Sequence, residues 1–222
     1  MFLGHFAAGL AAKKAAPAVS LGVLFLSAQF LDLLWPTLLL TGTEHVEITN
    51  DPSAPIPLNF VDYPLTHSLL MAMAWSALAG GLYWLARKDR TAALIVGLCV
   101  LSHWMLDLLV HVPDLPLYPG GTQRLGLGLW YHQLLTLGLE SVLFGVGIYL
   151  YLSTTQARNK TGTYAFWGLA VFLFGIHLAN IFGPPPPDVT AIAWAGQLQW
   201  LFVLWAFWVD RNRSARAATG AR

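Results

Sequence analysis

The chain has 222 residues, of which 56% are hydrophobic and only 10% charged, with a mean hydropathy of +0.58. That composition excludes an ordinary soluble domain and predicts an all-α polytopic membrane bundle, one integral domain over 1–222. A formal net charge of +1 argues against nucleic acid as a partner, and the lone Cys99 excludes both a disulfide framework and a cysteine-based zinc knuckle.

Residues 1–12 are apolar and helical in character but too short to cross a bilayer, and Lys13, Lys14 and Pro17 mark a turn after them. This predicts an N-terminal half-helix entering from the cytoplasmic side, with His5 carried roughly 12 Å into the bilayer. Because the lysines follow the apolar stretch, the segment does not read as a removable signal peptide and is expected to stay attached. Apolar runs close to the spanning length of about 20 residues then occur at 17–41, 66–86, 91–111, 128–152, 163–183 and 189–209, predicting about six transmembrane helices. The 42–65 loop, with an Asn50-Asp51-Pro52 turn, Pro55 and Pro57, reads as an ordered lid or rim. Pro64 and Thr66 are helix-start signals that leave His67 in the first turn of the second span. Gly120 to Gly128 reads as a flexible approach to helix four, since it lacks a phosphate-loop lysine pattern.

Basic residues alternate between loops. Lys13, Lys14, Arg87, Lys88, Arg90, Arg158, Lys160 and Arg211, Arg213, Arg216 and Arg222 of the 210–222 tail share one side, while the other side carries only Arg124. Both termini are therefore expected in the cytoplasm, with the acidic, proline-rich loops outside an inner (plasma) membrane.

Inside these apolar runs stand acids and histidines. His103, Asp107 and His111 recur every four residues, which places them within about 40° steps of azimuth on one helix face. Asp32, His103, Asp107, Glu140 and His177 fall roughly 18–24 Å from the cytoplasmic ends, with His67 higher and His5 lower. They can converge on one cavity facing the outer surface, with His5 as its floor. A nitrogen and carboxylate set of this kind suits zinc or another divalent transition metal. His132, Thr136 and Glu140 form a second stripe on helix four, from which Glu140 or His132 is expected as general acid or base. The bland alternatives are hydrogen bonding within the bundle for these stripes, packing for His177 and Asn180, solvation for His45 and Glu47, and turn chemistry for Asp62.

Gly4-His5, Phe30-Leu31-Asp32 before Trp35-Pro36, Leu65-Thr66-His67-Ser68 and Ser102-His103-Trp104-Met105-Leu106-Asp107 together resemble, in order and spacing, the membrane-bound metal-dependent hydrolase family associated with LexA-regulated inner-membrane proteins. The resemblance covers roughly residues 1–120. It implies His5, Asp32, His67, His103 and Asp107 as metal ligands. The chain lacks the family's Asp-x-Asp-His cluster, having Gln29 to Asp32 there, and it has Asp62-Tyr63 in place of a His-Arg pair. A single zinc-class ion is therefore expected, acting on a hydrophobic or lipid-linked ester or phosphoester among membrane lipids. The same ladder can instead serve a proton- or metal-translocating protein, or a haem held by two of His67, His103, His132 and His177. Scarce polar groups in the cytoplasmic halves weigh against the first, and the paired acids against the second.

Overall fold

The long apolar runs are helices in the computed structural model, which describes residues 1–49, 51 and 54–216. Asn50 and Pro52 of the expected turn, and Arg222 of the tail, lie outside the described residues. Four long helices, α5 (Leu69–Arg87), α6 (Arg90–Val110), α7 (Gln133–Thr154) and α8 (Lys160–Phe182), are each long and apolar enough to cross a bilayer. So is the Val189–Arg211 segment formed by α9 (Val189–Gln197) and α10 (Gln199–Arg211). A sixth candidate crossing is a bent pair, in which α2 (Leu21–Ala28) and α3 (Phe30–Leu40) meet at Gln29 at 56° and together are apolar enough for a broken span or a re-entrant loop. The sequence predicts an unbroken helix over 17–41; nothing in its hydropathy marks the bend, which interrupts a continuous apolar run.

Helix starts carry the side chains that hydroxyl and amide chemistry favours, each accepting from an orphan backbone N–H. Ser20 caps α2, Ser68 caps α5, Asp89 caps α6, Asn159 caps α8 and Asp188 caps α9. The Ser68 cap corrects the expected start of the second span. Residues Pro64–His67 form a separate one-turn helix, α4, and the extended backbone of Ser68 restarts the chain as α5. His67 thus ends a turn outside the span, on a short rigid step. Helix four is likewise shortened, because Leu129–Tyr131 is a 3-10 turn and α7 begins only at Gln133. The glycine-rich approach to it is tied down, with Leu127 N–H on the Leu108 carbonyl and Gly128 N–H on that of His111. Gly126 permits this, since a Cβ there would stand 2.0 Å from the Val112 carbonyl oxygen.

The N-terminal helix α1 (Leu3–Ala15) lies in the middle of the bundle, packed on α7, α2 and α6. Leu3, Phe6 and Leu10 are no more than 2% exposed and share one cluster with Phe25, Tyr151, Phe166 and Phe202. The close α1 to α7 approach requires Gly147, where a Cβ would meet the Ala7 carbonyl oxygen at 2.8 Å. Lys13, read from the sequence as a membrane-edge marker, is buried; its Nζ donates to the Val19 carbonyl at 2.7 Å and to Asp210 Oδ1 at 2.9 Å.

Strands are minor. β1 (His45–Ile48) pairs antiparallel with β2 (Leu58–Asp62), and Val46 of this hairpin is buried against Ala193 of α9, so the 42–65 loop is an ordered rim. Two residues on each side, β3 (Leu115–Pro116) and β4 (Arg124–Leu125), pair in the following loop. β5 (Thr155–Ala157) pairs with β6 (Arg213–Ala215), where Arg213 is buried and donates to Thr155 and the Gly162 carbonyl. Part of the expected basic tail is therefore built into the fold. By contrast α5 turns Leu70, Met73, Leu78, Leu82 and Leu85 outward, as a lipid-facing helix does.

Candidate metal centre

Four helices deliver the cluster: His5 comes from α1, Asp32 from the first turn of α3 just past the break, His67 from α4, and His103 and Asp107 from α6. All are buried except Asp32, whose side chain keeps 23% of its accessibility. Asp107 is the hub. Its Oδ1 lies 3.1 Å from His5 Nε2, and its Oδ2 lies 3.2 Å from His103 Nε2 and 3.8 Å from His67 Nε2. Asp32 Oδ1 faces the same rings, 3.4 Å from His67 Nε2 and 3.6 Å from His103 Nε2. The imidazoles of His5 and His103 stack at 3.6 Å between centroids. The Met1 amine also contacts Asp107 Oδ1.

Hydrogen bonds behind the rings fix which nitrogen faces inward. His103 Nδ1 lies 2.8 Å from the Ala28 carbonyl oxygen, which only accepts, so Nδ1 carries the proton in the neutral ring. Its Nε2 then presents a lone pair to two carboxylates and has no hydrogen-bond partner among the described residues. A buried lone pair facing carboxylate oxygens is repulsive unless a cation or a proton stands between them, and buried groups left in that state mark functional sites. The donor set fits a metal. His5, His103 and Asp107 form one group, and Asp32, His67 and His103 another, with ligand atoms within 4.8 Å of one another. Because the Nδ1-protonated His103 offers a single free nitrogen, the two groups meet at His103 and share its one lone pair.

His111, left open by the sequence, lies at the margin. Its Nδ1 bonds Asp114 Oδ1 at 2.8 Å and its Nε2 points toward Asp107 Oδ1 at 3.9 Å. Tyr63 donates its hydroxyl to the same Asp114 oxygen at 2.9 Å, and burial together with the Asp114 carboxylate holds that phenol well above its usual pKa. Trp130 and Phe60 cover His111, with ring centroids 4.0 and 5.3 Å away, while Tyr63 and Trp35 approach His67. The hairpin side of the cluster is thus roofed by aromatic rings from the hairpin and the α7 approach.

The two expected proton-transfer residues are placed differently. His132 stands exposed at the N-cap of α7. Glu140 is buried, and its Oε2 accepts from the N–H groups of Phe2 at 2.9 Å and Gly4 at 3.3 Å, so it caps α1 within the bundle. His177 lies beside it, Nδ1 4.0 Å from Glu140 Oε2, away from the ligand cluster. His45, Glu47 and Asp62 are exposed on the hairpin. Sequence reasoning overlooked Glu44 and Asp114, two loop acids that hold His67 and His111 from behind. Only the three-residue spacing from His111 to Asp114 offered a signal. Comparison with protein-family models, curated proteins and solved structures finds no match for this chain.

Proposed function

We propose that this protein is a membrane-embedded, metal-dependent hydrolase that uses zinc to cleave a lipid or lipid-linked ester or phosphoester. The observation that carries the reading is that three histidines and two aspartates, from four separate helices, form two overlapping groups of metal-ligand spacing that share His103. Zinc in such a set supplies the Lewis acidity that lets water act as a nucleophile near neutral pH. The chain's own residues do the rest. Asp32, the one accessible ligand, marks the side from which substrate arrives, and the aromatic roof excludes bulk water above His67 and His111. His111, anchored by Asp114, is placed to carry a proton beside the cluster, the role the sequence had given to Glu140 or His132. A lipid substrate suits walls made of apolar helices, and the absence of any arginine among the cluster residues favours an ester over a phosphate monoester. The apolar layer of Phe6, Leu10, Phe25 and Phe202, reached along α1 beyond His5, supports a one-sided site in preference to a translocation path.

The test is elemental analysis of protein purified without chelator, followed by release assays on dispersed phospholipids and on long-chain p-nitrophenyl esters before and after metal removal. About one zinc-class ion per chain and metal-dependent release are expected. Bound metal without release from either substrate set would overturn the hydrolase reading alone. No metal, and no uptake of added zinc, would overturn both.

A further inference from the structure

Glu44 follows the left-handed Gly42 turn beyond α3 and is only 1% exposed, an unusual place for a loop carboxylate. Its carboxylate bonds the step that carries His67. Oε1 accepts from the backbone N–H groups of Leu65 at 2.7 Å and Thr66 at 2.9 Å, and Oε2 accepts the Thr66 hydroxyl at 2.6 Å. An ionised carboxylate has no hydrogen to give, so the single hydroxyl hydrogen of Thr66 is directed to Glu44. The Tyr63 carbonyl, at 3.4 Å, is a much longer alternative acceptor. Thr66 Oγ1 therefore turns a lone pair toward His67 Nδ1, 2.7 Å away, and that nitrogen must be the one carrying hydrogen.

We propose that Glu44 is the positioning residue of the metal centre: acting through Thr66, it holds His67 in the Nδ1-protonated form and leaves Nε2 free to face Asp32 and Asp107. The inference rests on the metal reading above and extends it to a residue outside the ligand set. Metal-ligating histidines need their second nitrogen held in this way, and loss of the holding group typically costs about 10–100-fold in metal affinity. The charge sets the direction of the chain of bonds. In Glu44→Gln the carbonyl oxygen keeps the two backbone N–H groups, which puts the amide NH2 against Thr66 Oγ1. The hydroxyl then accepts from Gln, and its hydrogen finds His67 Nδ1 at 2.7 Å in preference to the Tyr63 carbonyl at 3.4 Å, so the proton of His67 moves to Nε2, where it blocks the metal.

The experiment has two readouts on the full-length protein. In metal-free protein labelled with 15N-histidine, the ring nitrogen shifts of His67 report the tautomer directly, with His67→Asn supplying the assignment. In parallel, zinc alone is titrated against a competing chelator. Wild type and Thr66→Ser should show the Nδ1–H form and equal affinity. Glu44→Gln and Thr66→Val should lose that form and about 10–100-fold in zinc affinity. Thr66→Val leaves both backbone bonds to Glu44 in place, so it reports even if Glu44→Gln fails to fold. Wild-type affinity and tautomer in both variants would overturn the proposal. So would a loss in Glu44→Gln that Thr66→Val does not share, since Glu44 would then merely cap α4. If wild type binds no zinc the metal reading falls, while the metal-free tautomer measurement still decides what Glu44 does.

Discussion

Among the described residues, Asp107 is the side chain that faces His5, His67, His103 and His111 together, through its two oxygens. A carboxylate in that position costs several kcal/mol to bury unless it is compensated, so its charge must be part of the design. Asp107→Asn keeps the volume and removes the charge, and it should abolish stoichiometric metal binding, as should His103→Ala. His45→Ala, on the exposed hairpin, should leave metal content at the wild-type level, and equal content in all three variants would refute the assignment. Thermal unfolding of the same preparations separates ligand loss from failure to fold. The candidate ligand residues were legible in the sequence because hydropathy makes an acid or histidine conspicuous within an apolar run. Glu44 and Asp114 were not legible, since a loop carboxylate looks solvated until the fold shows what it touches.

At the scale of elements, α1 decides whether His5 is part of the centre. Its short apolar stretch suggests a half-helix, but only packing distinguishes a buried helix from one lying at the surface of the bilayer. Gly147 is the contact point, so Gly147→Ala, whose Cβ would meet Ala7 backbone at 2.8 Å, should force α1 outward and destabilise the fold by about 1–3 kcal/mol. Gly145→Ala meets nothing within 4 Å and should be neutral in the same unfolding measurement. Removing the Glu140 cap by Glu140→Leu should act on α1 as well, at about 1.5–3 kcal/mol for its charge-assisted bonds, and should lower zinc affinity through His5. Unchanged zinc affinity in Glu140→Leu, with stability reduced, would detach His5 from the ligand set. The break at Gln29 and the one-turn α4 had no counterpart in the hydropathy pattern, because both are set by contacts between elements that are distant in sequence, such as His103 on the Ala28 carbonyl.

Across the whole molecule the histidine and aspartate cluster lies against the β1–β2 hairpin, whose Phe60 packs on His111, while α1 beyond His5 enters the apolar cluster of Leu10, Phe25 and Phe202. The charge pattern gives this axis a direction. Arg87, Lys88 and Arg90 cluster where α5 ends and α6 begins, and Arg158 and Lys160 where α8 begins, on the same side as the Lys13–Asp210 pair that closes the far end of α1. The opposite side carries the β1–β2 hairpin, the β3–β4 loop and Pro184 to Pro187, with Arg124 as its single basic residue. The positive-inside rule predicts that the basic side is cytoplasmic, which under the proposed hydrolase reading would turn the aromatic roof and Asp32 toward the outer leaflet and make outer-leaflet lipid the accessible substrate pool. Alkaline phosphatase and green fluorescent protein fused in turn after Lys88, Gly121, Lys160 and Pro187 test this directly. Fluorescence is expected at Lys88 and Lys160, and phosphatase activity at Gly121 and Pro187. The reverse pattern would place the cluster near the cytoplasmic leaflet and reassign the substrate pool, while leaving the ligand geometry untouched. An even mixture at every site would mean that the loop charges do not orient the bundle at all.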